Sequence, residues 1–160
     1  MEIKKVALHN PDQLNMILGQ AHFIKTVEDL HEVLSQASNV LQFGISFCEA
    51  SGPCLIRSSG NNDQLKALAE KNAEIISSGH VFCIFIENGF PIQVLNAIKQ
   101  VPEVCHIFCA TANPVEVIIA QTDQGRGVLG VIDGFAPKGK EELEDVQQRK
   151  NFLRTVGYKL

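Results

Sequence analysis

The stretch Val104-Cys-His-Ile-Phe-Cys-Ala-Thr-Ala-Asn-Pro-Val-Glu-Val-Ile-Ile-Ala-Gln-Thr-Asp-Gln-Gly-Arg-Gly-Val-Leu-Gly-Val-Ile-Asp-Gly-Phe135 decides the fold. Three short apolar runs, 104–110, 115–121 and 128–132, are rich in Val, Ile and Phe, and each has the length of a strand. Ala112-Asn113-Pro114 and Thr122-Asp-Gln-Gly-Arg-Gly127 break them with turn residues. These breaks also carry Asn113, Gln124 and Arg126, polar groups that a core has no use for. Polar turns on rigid strands are where sites are usually built.

Upstream, Ile3–Leu8 reads as a strand stopped by Asn10-Pro11, and 13–23 has a mixed pattern that leaves it open between helix and irregular chain. Thr26 reads as an N-cap, with Val27, Leu30, Val33, Leu34 and Ala37 on one helical stripe and His31 off it, facing solvent. Val40–Glu49 and Cys54–Arg57 read as a hairpin around Ala50-Ser-Gly-Pro53. After a polar loop over 58–62, apolar residues at helical spacing predict a helix over 63–77, with Gly79 as its terminator. His80–Ile86 is an unbroken apolar run, as expected of a central strand covered on both faces. Pro91 opens a helix that buries Ile92, Leu95 and Ile98, and the last helix starts near Lys140 with an apolar side of Leu143, Val146, Phe152, Leu153 and Val156. Helices and strands do not alternate regularly. The expected fold is therefore α/β (α+β): one domain over residues 1–160, a mixed β-sheet covered by helices.

Length and composition bound the function. A chain of 160 residues, 45% hydrophobic and 20% charged, builds one core and is not disordered. A net charge of −4 argues against a general nucleic-acid partner. No apolar run reaches the roughly 18 residues that a membrane span needs. Five cysteines, mostly within apolar runs, suit free thiols in a reducing cytoplasm.

Three sites stand out. Gly125-Arg126-Gly127-Val-Leu-Gly130 matches G-x-G-x-x-G, but a strand pattern follows it, so the dinucleotide reading fails. What remains is a choice between a plain hairpin turn and a phosphate site made by a fixed cation on open backbone. His80, between a helix end and a buried strand, is either a C-capping group or a rim nucleophile. Glu49 and Ser51, at a strand end and turn, either bind ribose hydroxyls or are simply solvated. Cys105-His106-Cys109 lacks metal-knuckle spacing and reads as core thiols, so no protein metal site is expected.

Several strings are similar to the motifs of the adenosine-specific kinases, small archaeal and bacterial proteins. They are Phe47-Cys-Glu-Ala-Ser-Gly-Pro53, Ser78-Gly-His80, Phe90–Lys99, Val101–Cys105, Cys109–Val117 and Gln124–Gly134. The likeness covers most of the chain, although Ser59-Gly-Asn-Asn-Asp63 is one residue longer than the family's Ser-Gly-Asn-Asp. The resemblance implies a single α/β domain that binds adenosine or AMP and assembles as a homotrimer. It also implies a phosphoryl-carrying histidine, for which His80 is the best match. In that reading Arg126 and Lys99 neutralise phosphate and Asn113 or Gln124 orients the ligand, with Glu49, Ser51, Gly125 and Gly127 around it. ATP or another phosphoryl donor is implied, with magnesium as a possible companion. No Walker A string or protein-kinase motif is present. The alternatives are an adenine-nucleotide sensor without turnover and a structural trimer without ligand.

Overall fold

The computed structural model describes residues 1–160. Its elements are β1 (Glu2–Ala7), β2 (Asn15–Ala21), α1 (Thr26–Ala37), β3 (Gln42–Cys48), β4 (Ile56–Gly60), α2 (Asp63–Ile76), β5 (Val81–Glu87), α3 (Pro91–Lys99), β6 (Val104–Thr111), β7 (Val115–Gln121), β8 (Arg126–Asp133) and α4 (Leu143–Thr155). The class is α/β, as expected. The strands form two sheets, β4-β3-β5-β2-β6 and β1-β7-β8, and all their pairings are antiparallel.

The two faces of the five-stranded sheet are covered differently. Phe43, Ile45, Phe47, Phe82, Ile84 and Ile86 face α1 and α3 through Leu30, Leu34, Val94 and Ile98. On the other face Leu18, Cys83 and Phe85 meet Leu65, Ala69 and Ile76 of α2 and Val117 and Ile119 of β7. The sheet is thus sandwiched between two helices on one side and a helix plus a small sheet on the other. Gly44 of β3 is where α2 comes closest: a Cβ there would lie 2.1 Å from the backbone of Leu65, so only glycine lets helix and strand meet.

The segment 13–23 is a strand at the heart of the sheet, paired with both β5 and β6. Met16 and Leu18 point to one core and Ile17 and Ala21 to the other, so burial on both faces erased the alternation that identifies a strand. Thr26 is the first helical residue rather than the N-cap; Lys25 is the cap, and the Thr26 hydroxyl donates to the Phe23 carbonyl. His31 is held rather than solvated, its Nδ1 lying 2.8 Å from Ser59 Oγ and its ring edge-on to Phe43. Ser58, Ser59 and Gly60 belong to β4, not a loop. Asn62 caps α2, its side chain accepting from the N–H groups of Gln64 and Leu65. Ile92, expected in the core, is 69% exposed, and α3 is buried through Val94 and Ile98.

The largest departure is α4, none of whose residues is buried. Its expected core side, Leu143, Phe152 and Val156 included, faces outward.

Candidate functional site

At one rim of the five-stranded sheet a cavity of about 630 Å³ opens between the β3–β4 hairpin, the C-terminus of α2 and the β7–β8 turn. Its walls include Glu49, Cys54, Ser77, Gly79, Gln124 and Arg126, with Gly125 and Gly127 beside the arginine. This volume suits a nucleoside or nucleotide, since small-molecule sites run about 300–1,000 Å³.

Arg126 is held by its neighbours. Its Nε donates to Gln121 Oε1 at 3.1 Å, and Nη1 approaches the carbonyls of Ile75 and Ile76 at 3.4 and 3.5 Å. Those carbonyls are the unpaired C-terminal acceptors of α2, where the helix dipole favours a cation. Ser78 Oγ donates to the Arg126 carbonyl at 2.8 Å and ties the start of β8 to the helix end. Arg126 is therefore both a helix cap and a cavity wall, and Nη2 is the part of its fork left without a partner in the chain.

Backbone strain collects at the same rim. Five non-glycine residues have positive φ, and three of them are Cys54 (51°), Ser77 (50°) and His80 (64°). Ser77, not Gly79, takes the left-handed position that ends α2. Gly79 is instead needed for space: a Cβ there would lie 2.9 Å from Ala50 Cβ. A residue outside αL preference persists only where its surroundings over-determine it, and such residues gather at functional sites.

His80 borders this cavity without lining it. Its N–H donates to the Cys48 carbonyl at 2.7 Å, and the Ala21 N–H donates to its carbonyl at 2.9 Å. The ring stacks on Phe47, centroids 5.9 Å apart and planes 15° apart. Phe47 belongs to the core shared with α1 and α3, so the imidazole lies on the side of the sheet away from α2 and Arg126. Its strain has a measurable consequence. His80→Gly should be more stable than His80→Ala by about 1 kcal/mol, because only alanine keeps the left-handed penalty. Equal melting temperatures for the two variants would show that no strain is stored there.

The sequence-derived residues thus separate. Glu49, Gln124, Gly125, Arg126 and Gly127 are brought together. Ser51 lies in the exposed hairpin turn, its carbonyl accepting from Cys54 N–H. Lys99 ends α3 and lines a second groove, about 480 Å³, with Leu95, Val104, Cys105 and His106. Asn113 sits in the β6–β7 turn and donates to Asp133 Oδ1 at 3.2 Å. It is roughly 20 Å from the cavity along the length of β7. Residues missed from sequence are Cys54, Ser77, Thr122 and the orienting Gln121. The Ser77-Ser78-Gly79 break between an amphipathic helix and a buried strand was the available signal.

No three His, Cys, Asp or Glu side chains converge to hold a metal ion. No helix is long and apolar enough to cross a membrane.

The thiols divide by burial. Burial pushes Cys48 up to about 11 and Cys109 up to about 12, and raises Cys83 further still. Cys54 and Cys105 are exposed. A thiol reagent at neutral pH should therefore label two of the five cysteines in the folded protein. A ligand in the cavity should protect Cys54 and leave Cys105, in the second groove, reactive. Protection of Cys105 alone would move the ligand to that groove.

A family model described as "Adenosine specific kinase" matches residues 6–159. The chain belongs to the adenosine-specific kinase family. The solved structure of the PH1918 protein from Pyrococcus horikoshii OT3 is 42% identical to it and superposes with a TM-score of 0.95, covering 99% of this chain and 98% of that one. No functionally curated protein matches the sequence. Membership in the adenosine-specific kinase family supports a kinase-like role for this chain.

Proposed function

We propose that the cavity binds adenosine or AMP, and that the protein transfers a phosphoryl group through a phosphohistidine at His80. The observation that carries this reading is convergence: the Gln124–Gly127 turn, the Glu49 hairpin and the Ser77–Gly79 link, with its strained Ser77, meet at one cavity of nucleotide size, and His80 follows that link directly. Arg126 Nη2 and the exposed backbone of Gly125 and Gly127 are suited to a phosphate. Glu49 and Gln124 are placed for the nucleoside.

The chemistry balances in two steps. A neutral His80 nitrogen attacks the terminal phosphorus of a donor such as ATP, the P–O bond to the departing diphosphate breaks, and the ring proton leaves to solvent. The nucleoside hydroxyl then attacks that phosphorus, the P–N bond breaks, and the hydroxyl proton ends on the ring. Because the ring lies past the Gly79 wall, the phosphoryl group must cross the sheet rim.

That same placement favours a second reading, in which the cavity senses an adenine nucleotide without turnover. Thermal denaturation with AMP separates both from a purely structural role. A ligand at 100 times its Kd stabilises by about 2.7 kcal/mol, so an unchanged melting temperature in millimolar AMP would refute binding. Turnover assays on the same samples then distinguish kinase from sensor.

We also propose that the chain assembles with itself as a homotrimer. The uncovered apolar side of α4 supports this, together with Ile3, Leu129, Ile132 and Phe135 on and beside the small sheet, all exposed. Light scattering should give a trimer for the native chain and a smaller species for Leu143→Glu/Phe152→Glu. An unchanged mass would remove α4 from the interface. Free thiols and the lack of a basic surplus favour a cytoplasmic protein without a nucleic-acid partner.

A further inference from the structure

Neither cation assigned to phosphate above is shown beside the histidine ring. Arg126 caps α2 on the opposite side of the sheet, and Lys99 lines the α3–β6 groove. One guanidinium is registered against the residue on which the His80 ring stacks. Arg57 of β4 pairs with Phe47 of β3, so their side chains share a face. Phe47 is the ring on which His80 stacks. Phe47 also pairs with Phe82 of β5, and just before that strand the His80 N–H donates to the carbonyl of Cys48, the neighbour of Glu49.

Glu49 and Arg57 fix one another. Arg57 Nη2 donates to both Glu49 oxygens, at 3.3 and 3.1 Å, and the Leu55 N–H donates to Glu49 Oε2 at 3.1 Å. The pair consumes Nη2 and leaves Nε buried with no acceptor at all. A buried guanidinium N–H without an acceptor is unusual and calls for an explanation. The carboxylate satisfies Nη2 and holds the fork still, while Nη1 has no partner in the chain, at a rim that also carries a strained, stacked imidazole.

We infer that Arg57 binds the phosphoryl group while His80 carries it, with Glu49 as the positioning residue that sets the guanidinium. This rests on the phosphohistidine reading and adds to it the residue that neutralises the carried group. The planar fork suits a phosphoryl dianion, and a phosphoryl oxygen would supply an acceptor for the unpartnered Nη1 edge.

Phosphoramidate tests this without relying on ATP. The ring nitrogen attacks its phosphorus, the P–N bond to the amine breaks, and ammonia leaves with the ring proton. Loading of His80 is followed by ³¹P NMR in the wild type, Arg57→Gln and Arg57→Lys, with circular dichroism as the check on folding. The expected result is loading at least tenfold slower in Arg57→Gln, partly restored in Arg57→Lys, with the phosphohistidine resonance shifted in both. Arg57→Lys, which keeps a cation for Glu49, decides the matter if Arg57→Gln does not fold. Equal rates and an unmoved resonance in a folded variant would overturn the role of Arg57 while leaving the phosphohistidine standing. Failure of wild-type His80 to accept phosphate from either phosphoramidate or ATP would overturn both. Arg57-dependent loading from phosphoramidate but none from ATP would keep Arg57 and remove the kinase reading.

Discussion

Arg126→Lys is expected to weaken AMP binding about tenfold or more while leaving adenosine within about twofold. A charge-assisted hydrogen bond contributes roughly 1.5–3 kcal/mol, and each 1.4 kcal/mol is about tenfold in Kd. Lysine keeps the charge but not the fork. In this structure the fork is already divided: Nε goes to Gln121 and Nη1 to the end of α2. A lysine ammonium cannot serve those partners and a phosphate at once, so the variant should also melt at a slightly lower temperature. Adenosine is the internal control. It occupies the same cavity without a phosphate, so equal weakening of both ligands would mean that Arg126 acts through the fold. Calorimetric titration of the two ligands into both proteins reads the difference directly.

His80→Ala is expected to abolish acid-labile phosphate on the protein after incubation with a phosphoryl donor. The chain has five histidines, and two others compete for the assignment. His31 Nδ1 is within hydrogen-bond distance of Ser59 Oγ, and His106 lies edge-on to Phe108 on β6, lining the second groove. His80 differs from both in its strained backbone and in its place beside the cavity. Intact-mass measurement of wild type, His80→Ala and His106→Ala should show one phosphoryl group in the first and third and none in the second. Phosphate surviving in His80→Ala would exclude the assignment.

The parts of the molecule that were legible in the sequence are those with one buried face or a strong cap. The helix over 63–76 showed its stripe and its polar start. The run 81–86 is legible because continuous burial in a central strand leaves few polar residues. The same condition hid β2, whose Gly19 and Gln20 interrupt the apolar run, so that 13–23 matched no single period. The apolar residues of α4 have the spacing of a core side, but periodicity cannot say whether the covering surface is in the same chain. Within the site, proximity along the chain identified the Gly-Arg-Gly turn. It could not show that Lys99 and Asn113 lie elsewhere, or that Gln121 and the α2 carbonyls hold Arg126. Nor could it place the His80 ring on the other face of the sheet, which depends on an alternation fixed by the register of three strands.

A structure determined with AMP bound tests the central claim most directly. The account predicts the nucleoside in the cavity between the 48–56 hairpin and the end of α2, with its phosphate within hydrogen-bond distance of Arg126 Nη2 and the Gly125–Gly127 backbone. AMP seated in the α3–β6 groove against Lys99 and His106, with the Arg126 cavity empty, would contradict it.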